Sequence, residues 1–288
     1  MTLQAGEVVA ETVSTPRPAP RRRGLRLGVG TWGLGVYAVL AFVFLLVPIV
    51  YTIVFSFNDA RRTNIVWRGF TLDNWLGVCD DATVCEAFGT SIFVGVVATA
   101  AATALGTAMA IALARYRFPF RGPTILLLFL PMATPEVVLG AGLAAQFLGA
   151  GVPKGVGTII LAHILFCVSF VVVTVRARMA SLDPALEEAG RDLYAGPAQV
   201  WWRITFPLLL PGIVAAALLS FALSFDDFII TNFNAGPAVT FPKYVYTAAA
   251  RGIPPQANVI ATAVFVLAIV IVIVSQLTTA ARRKRLNS

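Results

Sequence analysis

Six apolar runs, each long enough to cross a lipid bilayer as a helix, divide the 288-residue chain. They lie at about Gly30–Phe57, Phe88–Ala114, Thr124–Leu148, Gly157–Val175, Leu208–Ile230 and Asn258–Ala280. Because lipid cannot satisfy free backbone N–H and C=O groups, each run is expected to be an α-helix. The sequence therefore predicts an all-α polytopic membrane protein with six transmembrane helices.

The composition excludes several classes of protein. Hydrophobic residues make up 58% of the chain and charged residues only 12%, against roughly 25% charged in ordinary globular proteins. A soluble enzyme, a disordered chain and a disulfide scaffold are therefore excluded. The connections leave no room for a nucleotide-binding or catalytic domain, and no P-loop motif occurs. We expect no enzymatic activity and no cofactor in this chain, so that a partner must bind any ATP and Mg²⁺ that is used.

The basic residues indicate the topology. Sixteen of the 22 lysines and arginines lie in the two tails and in the second and fourth connections, and six lie in the others. The positive-inside rule places both termini in the cytoplasm. Residues 1–28 are predicted to be a flexible basic tail, 29–281 the membrane domain, and 282–288 a second basic tail. The net charge of +8 follows from this topology, so we expect contact with lipid and no binding of nucleic acid.

Cysteine and histidine are too sparse to indicate a metal site, with three cysteines and one histidine, His163. Cys79 and Cys85 lie in the longest outer loop, between Asn58 and Ala87. That compartment is oxidising, so a small disulfide loop and two free thiols both remain open.

The second span carries a face of small residues with a spacing of four. Its members are Ala98, Ala102, Gly106, Ala110 and Ala114. Such a face allows another helix to approach closely. Packing within the chain is the favoured interpretation, and an interface between subunits is the second.

Three acidic residues lie inside spans: Glu136, Asp226 and Asp227. A carboxylate in the membrane interior costs at least about 2.5–3.5 kcal/mol on insertion scales, and such groups usually face a water-filled cavity or a partner. Pro131 and Pro135 should break the third helix, and broken helices tend to line binding sites. No lysine or arginine lies inside a span to neutralise the acids, so we expect a path for a cation. The alternative is that one or more of them cap a break in the backbone or pair with another subunit.

The connection 176–207 is the largest on the cytoplasmic side. Ser181 to Leu193 is predicted to form a short amphipathic helix, which Asp183 can cap and in which Pro184 suits the first position. A second amphipathic piece follows from Ala198 to Phe206. A helix on this face is either a solvated cap or a knob that fits a groove on a partner.

The same connection resembles the EAA loop of ABC importer permeases. The resemblance rests on Glu188-Ala189-Gly190 and, after a fixed spacing, on Ile204-Thr205-Phe206-Pro207. In that family the loop is the coupling helix that inserts into the ATPase subunit. The resemblance implies that the following residues couple to the ATPase: Leu182, Leu186, Glu188, Ala189, Gly190, Asp192 and Leu193. Three positions depart from the family pattern, because Gly190 replaces Ala, Tyr194 replaces Gly and Phe206 replaces Leu. Since that Gly normally makes the turn, we expect Gly196 to supply it instead.

Four further stretches are similar to permeases of the spermidine/putrescine class. They are Pro135–Gly140, Ser224–Ile230, Phe241-Pro242 and Ile253–Asn258. The resemblance implies a type I importer permease fold in a bacterial inner membrane. It also implies three kinds of protein partner: a pair of ATP-binding subunits, a second and different permease, and an extracytoplasmic solute-binding protein. The expected function is translocation of a polyamine. Two alternatives remain: an importer for another small solute or metal chelate, and a secondary transporter or channel without an ATPase.

Overall fold

The computed structural model describes residues 29–60, 64–250 and 252–286, with side chains at 32–60, 64–250 and 252–277. The predicted tail 1–28 lies outside the described residues. The helices, numbered along the chain, are α1 (Val29–Phe55), α2 (Asp73–Leu76), α3 (Ala82–Arg115), α4 (Arg121–Ala133), α5 (Glu136–Gly149), α6 (Val156–Ala180), α7 (Ala185–Asp192), α8 (Pro197–Val200), α9 (Phe206–Asp226), α10 (Ile229–Asn234), α11 (Phe241–Ala249) and α12 (Pro255–Leu286).

Among the described residues, five stretches of helix are long and apolar enough to cross a membrane, and the pair formed by α4 and α5 supplies a sixth candidate. The pair is bent by 110° at its break. Thr134 and Pro135 form the break, because proline has no N–H to donate and disfavours a helical conformation in the residue before it. The predicted six-span, all-helical fold and the predicted break in the third span are both confirmed.

The described residues fall into two units, one that ends at Val50 and one that begins at Tyr51. The described part of the first unit is the apolar beginning of α1, which contains Pro48. The second unit holds the remaining helices, and its largest hydrophobic core is built chiefly from α3, α6 and α9.

The small-residue face of α3 packs inside this core. Ala98, Ala102, Gly106 and Ala110 are all buried. A Cβ added at Gly106 would lie only 2.7 Å from Cβ of Val171 on α6, so the two helices approach too closely for a larger residue. Internal packing is thus confirmed for these four residues.

A π-helical turn, Trp201–Thr205, joins α8 to α9. It precedes Pro207 and Pro211 in α9, which remove two backbone donors from the helical ladder. The predicted amphipathic piece from Ala198 to Phe206 is therefore the irregular beginning of a continuous helical segment.

Candidate functional site

The fifth span does not run on to Ile230, as the apolar run predicted, but ends at Asp226. Asp227 has an extended backbone, and α10 begins two residues later. The carboxylate of Asp227 accepts hydrogen bonds from the backbone N–H groups of Ile230 (3.3 Å) and Thr231 (2.7 Å). It thereby satisfies donors that the first turn of a helix leaves free. Asp227 therefore caps a break in the backbone, which was one of the alternatives for the acids inside the spans.

His163 holds Asp227 from the neighbouring helix α6. The imidazole is 1% exposed. Its Nε2 atom lies 3.2 Å from Oδ2 of Asp227 and 3.1 Å from Oγ1 of Thr231. Its Nδ1 atom lies 2.7 Å from Oγ of Ser224 on α9. With Nε2–H donating to the carboxylate and the serine hydroxyl donating to Nδ1, both ring nitrogens are satisfied. Asp227 is therefore paired within the chain, whereas the sequence indicated no partner for it.

The structure brings the three predicted membrane acids to one cavity. Glu136, Asp226 and Asp227 line a space of about 440 Å³, together with apolar residues that include Phe166 and Leu223. Glu136 is the first residue of α5, where the positive end of the helix dipole stabilises its charge. Glu136 and Asp226 are exposed and Asp227 is buried. The described lining contains no lysine or arginine, so the cavity suits a cation.

Asp226 also lines a second cavity, of about 730 Å³. The other lining residues are almost all apolar. They include five aromatic side chains: Phe225, Phe228, Phe241, Tyr246 and Phe265. The rings of Phe228 and Tyr246 stack with their centroids 4.1 Å apart. Aromatic faces attract cations and also cover alkyl chains. We call the first space the acidic cavity and the second the aromatic cavity. Asp226 lines both.

The helix that the resemblance predicts to couple to the ATPase, which we call the coupling helix, lies close to its predicted position. The helix α7 begins at Ala185, whose N–H donates to Oδ1 of Asp183 at 3.0 Å, so Asp183 caps it as predicted. Five of the residues that the resemblance assigned to coupling are exposed on this segment: Leu186, Glu188, Ala189, Asp192 and Leu193. Leu182 is half-buried.

Gly190, which the resemblance also assigned to coupling, faces Ile204 within the chain. It is buried, and a Cβ there would lie 2.6 Å from Cδ1 of Ile204. The alanine of the family pattern would therefore require Ile204 to shift. The glycine at this position fits the packing of this particular loop.

Tyr194 itself supplies the turn after the coupling helix. Its φ is +62°, in the left-handed region, although it stands where the family pattern has glycine. Gly196 has a φ of −66° and precedes α8, so the expectation that it makes the turn is wrong. A non-glycine residue pays a steric penalty in this conformation.

Arg115, the last residue of α3, ties the coupling helix to the membrane domain. Its guanidinium donates to the carboxylate of Glu187, which also accepts from Oγ1 of Thr205 at 2.7 Å. The same guanidinium lies 5.8 Å from the ring centroid of Trp201, within cation–π range. Sequence reasoning missed this cluster, because its members are distant along the chain.

On the other side of the fold, Cys79 and Cys85 form a disulfide with a Cα–Cα distance of 5.4 Å. Asp81, between them, caps α3 by accepting from the N–H of Thr83. The hydroxyl of Tyr244 on α11 donates to the same carboxylate at 3.3 Å. Burial raises the pKa of Tyr244 to about 12, and the charge of Asp81 adds to this shift. In the part of the chain that the structure describes, no three histidine, cysteine or acidic side chains are placed to hold a metal ion.

Comparison with known proteins agrees with this architecture. Residues 102–287 match the family described as the binding-protein-dependent transport system inner membrane component. The spermidine/putrescine transport system permease protein PotC of Escherichia coli (strain K12) is 34% identical over 246 residues, which cover 84% of this chain and 92% of that protein. The putrescine transport system permease protein PotI of the same strain is 34% identical over 79% of this chain and 83% of that protein.

Solved structures give the same fold. A chain of a bacterial ABC transporter involved in the import of the acidic polysaccharide alginate has a TM-score of 0.63 and 15% identity. The match covers 88% of this chain and 96% of that one. The resemblance seen in the loop 176–207 is confirmed. The chain therefore belongs to the family of binding-protein-dependent inner membrane transport components, and it is a permease subunit of an ABC importer.

Proposed function

We propose that this permease imports polyamines such as spermidine and putrescine. The observation that carries the proposal is the place of Asp226, whose carboxylate lines both the acidic and the aromatic cavity. A linear polyamine alternates ammonium groups with short runs of methylene. Carboxylates attract the ammonium groups, while aromatic faces cover the methylenes and add cation–π attraction. The names of the relatives PotC and PotI support the same cargo.

The three acids have different roles in this proposal. Asp227 is buried, caps α10 and pairs with His163, so its charge is already compensated. Glu136 and Asp226 are exposed to the cavity and are free to neutralise a passing cation. Asp226 is the principal contact, since it alone of the three lines both cavities.

Energy comes from partners of the permease. Two ATP-binding subunits bind ATP and Mg²⁺, and a solute-binding protein delivers the polyamine from outside. A second and different permease completes the path, and both termini of this chain lie in the cytoplasm. The exposed residues Leu186, Glu188, Ala189 and Leu193 of the coupling segment enter a groove on the ATPase. Closure of the ATP-binding subunits then moves the membrane helices between outward-open and inward-open states.

The test is uptake of labelled spermidine and putrescine by cells that lack this gene. The cells receive the gene with its transport partners, and assembly of the complex is checked by co-purification. Restored, energy-dependent uptake supports the proposal. An assembled complex that takes up neither polyamine would contradict the cargo and leave the family assignment intact. A matched variant shortened by deletion of 185–192 should lose both uptake and ATPase docking.

A further inference from the structure

A cage of buried hydrogen bonds surrounds α10, whose first residue, Ile229, lines the acidic cavity. Oγ1 of Thr158 on α6 donates to the carbonyl of Asn234 at 2.8 Å. Nδ2 of Asn234 donates to the carbonyl of Gly140 on α5 at 3.2 Å. His163 holds the other end of α10 through Asp227 and Thr231. This short helix is thus fixed at both ends to the helices around it.

His163 is the member of this cage that touches all three parts of the break. Its Nδ1 contacts the last turn of α9 at Ser224, and its Nε2 contacts the break at Asp227 and the first turn of α10 at Thr231. Buried polar groups are nearly always hydrogen-bonded, and a fully satisfied network makes the surrounding structure rigid. The imidazole therefore fixes the angle at which the backbone leaves α9.

Asp226 and Asp227 are adjacent, so the conformation of one sets the direction of the other. Asp227 turns inward and meets three donors: Nε2–H of His163 and the backbone N–H groups of Ile230 and Thr231. With Asp227 held in this way, Asp226 turns outward and lines both cavities.

We propose that His163 is a positioning residue of the cation path: by holding Asp227 at the break between α9 and α10, it directs the neighbouring Asp226 carboxylate into the two cavities. The proposal rests on the proposed function for the role of Asp226. It concerns a residue that touches no cargo and acts through its neighbour.

Two substitutions separate positioning from simple packing. His163→Gln keeps an N–H donor that can reach Asp227, whereas His163→Leu fills much of the space and leaves Asp227 one donor short. Cys167→Ala, one turn further along α6, is the matched control, since Cys167 is equally buried and its thiol donates to the carbonyl of Ser220. Spermidine uptake is measured per assembled complex, so that lost assembly does not count as lost transport.

We expect His163→Leu to lower uptake per complex by at least about tenfold, as misplacement of a contact group by about 1 Å does in enzymes. His163→Gln should recover most of the loss, and Cys167→Ala should be near wild type. Combining His163→Leu with Asp226→Asn should add little to the loss caused by Asp226→Asn alone, because both act through one carboxylate. Fully multiplicative losses, or equal activity of the Gln and Leu variants, would overturn the proposal.

A labelling experiment tests the position of Asp226 without relying on uptake. Asp226→Cys in a Cys167→Ala background is treated from outside with a cationic thiol reagent. We expect His163→Leu to change the labelling rate by about tenfold or more, while His163→Gln leaves it near the starting rate. An unchanged rate with Leu would overturn the positioning role. If instead Asp226→Asn supports normal uptake while the labelling rates shift, the proposed cation path fails and the positioning by His163 stands.

Discussion

Arg115, the last residue of α3, forms an ion pair with Glu187 in the first turn of the coupling helix α7. Glu187 also accepts a hydrogen bond from Thr205, at the beginning of the fifth span. Glu187 therefore joins α7 to α3 and to the beginning of the fifth span. Movement of α7 by an ATPase subunit would pass directly to α3, whose small-residue face packs on α6.

Arg115→Ala should weaken this connection. Since the two side chains are 30% and 25% exposed, we expect a change in stability of no more than about 1 kcal/mol. Uptake should fall several-fold while ATP hydrolysis by the assembled complex continues. Parallel assays of uptake and ATP hydrolysis give the coupling ratio, which is the amount of cargo taken up per ATP hydrolysed. The control is Arg191→Ala, whose guanidinium lies 3.8 Å from Glu187 and is 64% exposed. Equal coupling ratios in Arg115→Ala and wild type would contradict the role.

Tyr194→Gly should stabilise the loop that follows α7. Tyr194 is 98% exposed, so its ring adds little packing, and its φ of +62° strains any residue with a Cβ. Relief of about 1 kcal/mol is expected, partly offset by the greater freedom of glycine in the unfolded chain. Thermal unfolding of the purified complex measures the gain. Ala195→Gly, at a neighbour whose φ is negative, should give no gain; a lower melting temperature for Tyr194→Gly would contradict the strain argument.

Gly106→Ala should destabilise the packing of α3 on α6. The added Cβ would lie 2.7 Å from Val171 and 3.2 Å from the carbonyl of Val168, and overpacking of this kind costs about 1–3 kcal/mol. Gly89→Ala is the control on the same helix, since nothing lies within 4 Å of its added Cβ. The amount of folded protein in the membrane and its melting temperature are the measurements. Similar values for both variants would show that the helices separate easily.

Because Cys79 and Cys85 are joined in a disulfide, neither sulfur atom should react with an alkylating reagent. Only after reduction should mass spectrometry find the two residues modified. Replacing both by serine should lower stability by about 2 kcal/mol, at the low end for disulfides because the loop they close is short. Modification of both thiols in protein that was never reduced would contradict the pairing.

Much of the fold could be predicted because lipid forces each apolar run to become a helix. The break in the third span was also predictable, since Pro135 marks it. The break in the fifth span was not, because Phe228 to Ile230 continue the apolar run without glycine or proline. That break depends on capping by Asp227 and on its contact with His163, 64 positions earlier in the chain.

The candidate site, like the fold, could be predicted only in part from the sequence. The rarity of acids in the spans indicated Glu136, Asp226 and Asp227, and the structure brings them to one cavity. Their different surroundings could not be predicted, because burial and pairing arise only when α5, α6, α9 and α10 pack together. The cluster around Arg115 was missed for the same reason: its partner Glu187 lies 72 positions away.

In the proposed cation path, polyamines pass close to the carboxylate of Asp226. The most direct test compares labelled spermidine uptake per assembled complex for wild type, Asp226→Asn and Asp226→Glu, with Glu86→Gln as a matched loss of charge on the exposed surface of α3. We expect a loss of at least about tenfold for Asp226→Asn, equal to about 1.4 kcal/mol, partial recovery for Asp226→Glu, and near wild-type uptake for Glu86→Gln. Wild-type uptake by Asp226→Asn would contradict it.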